Sequence, residues 1–144
     1  MPHLTKISGI CPAVFVLYTD ATCRKIDEKA QRAHYRKLID YGVNALVVGG
    51  HAGEIVSLNP EERMHVIQMA KEEANGRIPV VGGVVADSTA EAIAMAKDAQ
   101  KAGADAVLFT PPCVPGWKAE VEFLLHHYGA VEQAVGIPIV LFAS

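Results

Sequence analysis

The residues best suited to chemistry stand together in Gly49, Gly50, His51, Ala52, Gly53 and Glu54, between the apolar run Ala45–Val48 and a helix start. An imidazole donates or accepts hydrogen bonds and can carry a positive charge, and a carboxylate only accepts. Glycines on both sides allow the backbone a turn-shaped nest whose N–H groups hold an anion such as a carboxylate. A tight turn that merely exposes His51 is the competing reading of the same residues. The loop is not a phosphate-binding P-loop, because G-x-x-x-x-G-K-[ST] is absent. Glu54 either orients neighbouring backbone or a partner chain, or is a solvated loop carboxylate.

Two further groups invite chemical readings. Thr110 to Trp117 holds three of the eight prolines, a composition that stiffens a loop and can shape a pocket. Cys113 within it is a nucleophile only if a neighbouring cation ionises its thiol, and the adjacent sequence supplies none. His126, His127 and Tyr128 fall inside a predicted helix, where consecutive residues point in different directions, so packing is expected of them rather than metal binding. No H-E-x-x-H, G-x-S-x-G or spaced carboxylate and His cluster occurs, and neither metal nor cofactor is expected.

The elements that must position these groups follow one rhythm. A helical stretch ends at a glycine, Gly42, Gly76, Gly103 or Gly136, and an apolar strand follows within a few residues. Glycine just past a helix end supplies left-handed backbone. Asn59, Pro60 and Glu62 mark a helix start, and Ser88 with Glu91 has the form of a capping box. Apolar residues at spacings of three and four predict helices over Lys29–Ile39, Glu61–Glu73, Thr89–Lys101 and Lys118–Gln133. The strands, around Ala13–Leu17, Ala45–Val48, Pro79–Val81, Ala106–Phe109 and Ile139–Phe142, are apolar without alternation, as parallel strands covered on both faces are. On periodicity and length alone, a five-stranded doubly wound sheet fits better than a (β/α)8 barrel of about 250 residues.

Composition narrows the class. The 144 residues suffice for one domain, here residues 1–144, and a chain of about this size buries roughly 70% of its unfolded surface. Lys and Arg number 13 against 16 Asp and Glu, and with no basic stripe nucleic acid is not an expected partner. The longest apolar runs are too short to cross a bilayer, and Met1–Lys6 does not open a signal peptide, so a soluble cytoplasmic protein is expected, with no membrane partner. Cys11, Cys23 and Cys113 stand far apart, and reduced thiols are expected.

Several stretches then fall into a shared order. Gly9 to Ala13 has the form G-I-x-P-A, and Gly42 to Leu46 the form G-V-x-A-L. Gly50 to Arg63 is similar to the signature G-T-T-G-E-x-x-S-L-T-x-E-E-R, and Gly83-Val84, Ser88 to Ala92, Gly103 to Ala106, Pro111-Pro112 and His127-Tyr128 follow in turn. Together they resemble the dihydrodipicolinate synthase and N-acetylneuraminate lyase family of pyruvate-handling aldolases. The resemblance implies an α/β fold, the N-terminal part, about four and a half βα units, of a TIM (β/α)8 barrel. It implies a lyase in which a lysine ending the sixth strand forms a Schiff base with pyruvate or another 2-oxo acid, the imine serving as electron sink. None of Lys6, Lys25, Lys29, Lys37, Lys71, Lys97, Lys101 or Lys118 ends a core strand. It also implies a homo-oligomer, dimer or tetramer.

On that resemblance Gly50, His51, Ala52 and Gly53 form the loop that binds the substrate carboxylate, with Glu54 a structural anchor. His51 and Ala52 replace two hydroxyl residues, and only His51 keeps a side-chain donor. Phe142 occupies the position of the proton-relay tyrosine and lacks its hydroxyl, and Cys113 occupies that of the tyrosine contributed to a neighbouring subunit's relay. A non-catalytic half-barrel that self-associates or pairs with a partner chain is the alternative, because an unclosed sheet leaves strand edges uncovered.

Overall fold

The computed structural model describes residues 7–112 and 120–142. Five strands and four helices alternate along the chain: β1 (Ala13–Val14), α1 (Glu28–Asp40), β2 (Leu46–Val48), α2 (Pro60–Ala74), β3 (Val80–Val84), α3 (Thr89–Lys101), β4 (Ala106–Phe109), α4 (Val121–Ala134) and β5 (Ile139–Leu141). All strand pairs are parallel and the sheet order is β1-β2-β3-β4-β5. A doubly wound sheet reverses direction at a switch point, for instance 2-1-3-4-5, so this unbroken order is that of a barrel wall. Contacts between α1 and α2, α2 and α3, and α3 and α4 place the helices in one layer on one side of it.

Strand parity assigns the two faces. Leu46, Val48, Val80, Val84, Val107 and Phe109 join the core under the helices. Ala45, Val47, Val81 and Ala106 form a second, smaller cluster on the opposite, lumen face. The solidly apolar strands therefore reflect burial on both sides, with helices covering only one. Helix α3 approaches the sheet closely because three of its four buried residues are alanines, Ala92, Ala96 and Ala99, beside Met95. A Cβ on Gly82 would come within 2.9 Å of the Ala99 Cβ.

Local signals set most boundaries. Asn59 and Glu62 form the reciprocal capping box, with Pro60 in the first turn. At Ser88 the structure shows the capping half, in which its Oγ accepts from Glu91 N at 3.2 Å. Gly42, Gly76 and Gly103 have positive φ, as the helix-ending pattern expects, but Gly136 does not. There the chain leaves α4 through an extended Val135, and Gly136 N donates to Gln100 Oε1 at 2.7 Å instead. Helix α4 runs over Val121–Ala134, the expected start at Lys118 lying outside the described residues, and β3 runs on through Gly82 and Gly83 to Val84.

The early strand pairs over two residues only. Beyond Val14 the chain bonds to a side chain: Gln31 of α1, fully buried, accepts from Leu17 N at 2.8 Å and donates to Phe15 O at 3.1 Å. At the opposite end of the sheet, Asp105 accepts from both Lys71 Nζ and Val80 N, tying α2 to the starts of β3 and β4.

Candidate functional site at the carboxyl ends of the strands

The loop from Gly49 to Glu54 leaves β2 at its carboxyl end. Gly49 has φ +69°, a conformation in which a side chain is strained, and the chain then closes a turn. Gly53 N donates to Gly50 O and Glu54 N to His51 O, each at 3.0 Å. Glu54 takes φ +52° and leads into a short 3-10 turn, Ile55–Ser57, whose Ile55 is buried. Arg63 Nη1 donates to Leu58 O at 3.1 Å where that turn ends.

Two glycines are required by through-space contact. A Cβ on Gly53 would lie 2.8 Å from Gly49 N and 3.0 Å from Val14 O, so only a bare Cα fits between the ends of β1 and β2. A Cβ on Gly83 would overlap the Gly49 carbonyl and lie 2.7 Å from Gly50 N. The loop is thus folded down onto the lumen side of β3. Gly83 carries no reactive group, and nothing in the sequence near His51 points to it; its only prior signal was a place in the ordered series of matching stretches.

The loop's donors are unevenly used. No described residue accepts from the N–H of His51 or of Ala52, and both residues are exposed. Two successive free N–H groups opening a turn favour an anion. The His51 imidazole stands beside them and Ala52 adds only a methyl group. Glu54 accepts from the Tyr18 hydroxyl at 3.4 Å, which joins this loop to the one after β1. Burial, with the Glu54 carboxylate second, raises the Tyr18 pKa above its ordinary value and keeps the phenol protonated.

The other expected residues are dispersed or undescribed. Phe142 N donates to Phe109 O at 2.9 Å, so this residue stands just past β5, three strand spacings or about 14 Å around the sheet from β2. Its side chain is 44% exposed. Cys113 lies outside the described residues. Among the described residues no group of three or more His, Cys, Asp or Glu side chains is placed to hold a metal, and no helix is long and apolar enough to cross a membrane.

His127 takes the packing role expected of it. It is 1% exposed, 2.8 Å from Thr89 Oγ1 through Nδ1, with Phe109 and Phe123 against its ring. Among the described residues its Nε2 has no partner. Burial lowers its pKa below the ordinary 6.5. The folded state therefore binds this proton less readily than the unfolded state, and His127 stabilises fully above pH 6.5. That contribution is lost as pH falls from 6.5 toward the lower folded-state pKa. Urea midpoints measured between pH 7.5 and 5 are expected to fall more steeply in the parent than in His127→Gln; parallel slopes would exclude His127 as the source.

The family model described as the dihydrodipicolinate synthetase family matches residues 6–144. The 4-hydroxy-tetrahydrodipicolinate synthase of Bradyrhizobium diazoefficiens is 38% identical over 142 residues, covering 99% of this chain and 46% of the relative. That of Methanopyrus kandleri is 34% identical, over 95% and 45%. Among solved structures, the chloride-inhibited dihydrodipicolinate synthase of Acinetobacter baumannii complexed with pyruvate superposes with TM-score 0.88 at 34% identity, over 96% of this chain and 46% of that one. A prophage protein of the same family from Escherichia coli K12, in complex with pyruvate, gives 0.83 at 30%, over 94% and 44%. The chain spans about half the length of the relatives it matches.

Proposed function

The chain belongs to the dihydrodipicolinate synthetase family, and from this we propose that it forms the front part of a lyase acting on pyruvate or a similar 2-oxo acid through a Schiff base. The observation that carries the reading is the pair of unspent N–H groups at His51 and Ala52, in a loop held against β3 by Gly83 and against β1 by Gly53. In this reading the loop Gly50–Gly53 binds the substrate carboxylate, with the His51 side chain as an added donor. Glu54 anchors the loop through Tyr18.

In this reading the imine-forming lysine ends a sixth strand, which is not among the five strands of the described residues. Phe142 stands at the relay tyrosine position and has no proton to pass, so the acid–base step falls to another group or to water. Cys113 stands at the second relay position. The active form is a cytoplasmic homo-oligomer, dimer or tetramer, without a cofactor.

Borohydride reduction in the presence of pyruvate, read by intact mass, tests this. A product of the same reading frame that includes a sixth-strand lysine is expected to gain the reduced adduct and to lose it when that lysine is replaced. This chain alone is expected to stay unmodified. Failure of the lysine-bearing product to trap any 2-oxo acid would overturn the proposal.

A second reading has its own observation. The face between α4 and β5 holds a groove of about 730 Å³ whose wall includes Leu125, Tyr128, Val135, Ile137 and Leu141, with Glu132 as its one charged residue among those described. Leu125 is 69% exposed and Leu141 57%. A half-barrel that pairs with itself or with another chain would cover such a surface. Sedimentation separates the readings, since a dilute monomer that binds no hydrophobic dye does not need such pairing.

A further inference from the structure

Parity and register put aromatic side chains on the lumen side of the sheet where the site opens. Val14 and Val16 both face the helices, so the alternation of an extended chain turns Phe15 to the opposite face, where it is 59% exposed. One step beyond the Val14–Val48 pair, Phe15 stands beside Gly49, the first residue of the loop. At the far margin Ile139 faces the helices, and Leu141 pairs with Phe109, which does too. Phe142 therefore falls on the lumen side. Between these rings the lumen-side positions at the strand ends include Gly49, Gly83 and Thr110, and the Thr110 hydroxyl is given to Val84 O. None of these positions carries a charge.

We infer that Phe15 makes this site selective for a 2-oxo acid or aldehyde partner whose far end is apolar, an aryl or branched alkyl group, over one bearing a second carboxylate or an amino group. The inference rests on the reading of Gly50 to Gly53 as the carboxylate loop. With the carboxylate on the N–H groups of His51 and Ala52, the remainder of the molecule passes Gly49 and meets the Phe15 ring. A second charge there would lose water and find no ionic partner among these side chains, whereas an aryl group exchanges water for ring contact.

The test uses the isotope-labelled 144-residue chain and follows the His51 and Ala52 amide signals during titration with pyruvate, phenylpyruvate or 2-oxoglutarate. Phenylpyruvate is expected to bind about tenfold or more tighter than pyruvate, the scale on which apolar pockets discriminate. 2-Oxoglutarate is expected to bind no better than pyruvate. Phe15→Ala is expected to bring phenylpyruvate to the pyruvate value and leave pyruvate unchanged, and Phe15→Leu to keep most of the preference. If Phe15→Ala loses the dispersed spectrum of a folded chain, Phe15→Val, which removes the ring without emptying the position, carries the comparison in its place. Equal affinity for the three acids, or preference for 2-oxoglutarate, with the loop amides still responding, overturns the selectivity and leaves the loop reading intact. Amides that respond to none of the three overturn both.

Discussion

Gly83→Ala is expected to cost about 1–3 kcal/mol of stability and to erase the response of the His51 and Ala52 amides to any 2-oxo acid. The added Cβ would overlap the Gly49 carbonyl and crowd Gly50 N. Both obstacles are backbone, so relief requires lifting the loop off β3 and dispersing the two free N–H groups. Gly82→Ala provides the contrast one residue earlier in the same strand. Its Cβ would press on Ala99 Cβ at 2.9 Å and Ile67 Cδ1 at 3.1 Å, in the helix layer. That substitution is also expected to lower the urea midpoint, yet to leave the loop's response in place. An intact response in Gly83→Ala would mean that the loop does not depend on this close approach. The two alanines thus separate damage to the fold from damage to the site.

What could be read from sequence was local. Asn59 with Pro60 and Glu62 marked the start of α2 because a cap and its three-residue spacing are complete in the chain itself. Gly42, Gly76 and Gly103 marked helix ends for the same reason. Gly136 looked alike and behaved differently, since a tertiary partner, Gln100, takes its N–H. Periodicity alone did not separate a barrel wall from a doubly wound sheet, because both make apolar parallel strands, and only strand order distinguishes them. Length then favoured the doubly wound sheet, which the observed order overturns, and the ordered resemblance pointed to the barrel instead. The turn at Gly49 to Glu54 was legible from its glycines. Its support at Gly83, 30 or more positions along the chain, was not, since a glycine reports a close approach without naming what approaches.

The site's two supports come from different levels of the structure. One is steric, between backbones that only glycine lets meet. The other is polar, holding the chain beyond β1 in line so that Phe15 stays on the lumen side. The second support is also the less visible in sequence, because a glutamine on an amphipathic helix ordinarily reads as surface.

Gln31→Leu is expected to cost about 2–3 kcal/mol, because it leaves Leu17 N and Phe15 O without their partner while filling nearly the same volume. Gln31 is fully buried and no other described side chain is bonded to either group, so the loss falls on both a donor and an acceptor. The estimate sits at the low end for two orphaned groups because the Phe15 side chain is exposed and water can reach part of this segment. Gln100→Leu removes a bond of similar length, to Gly136 N at 2.7 Å, at an exposed site, where water replaces the lost partner and the expected cost is below about 1 kcal/mol. Urea unfolding of the two variants compares the same chemical change at two depths. Gln31→Leu carries a second consequence that Gln100→Leu lacks. With its backbone released, Phe15 no longer keeps a fixed place beside Gly49, and the preference for phenylpyruvate over pyruvate is expected to shrink while the loop amides still answer to pyruvate. Equal stability losses at the two positions, with the preference unchanged in both, would show that the segment after β1 is held by its apolar contacts and not by the Gln31 amide.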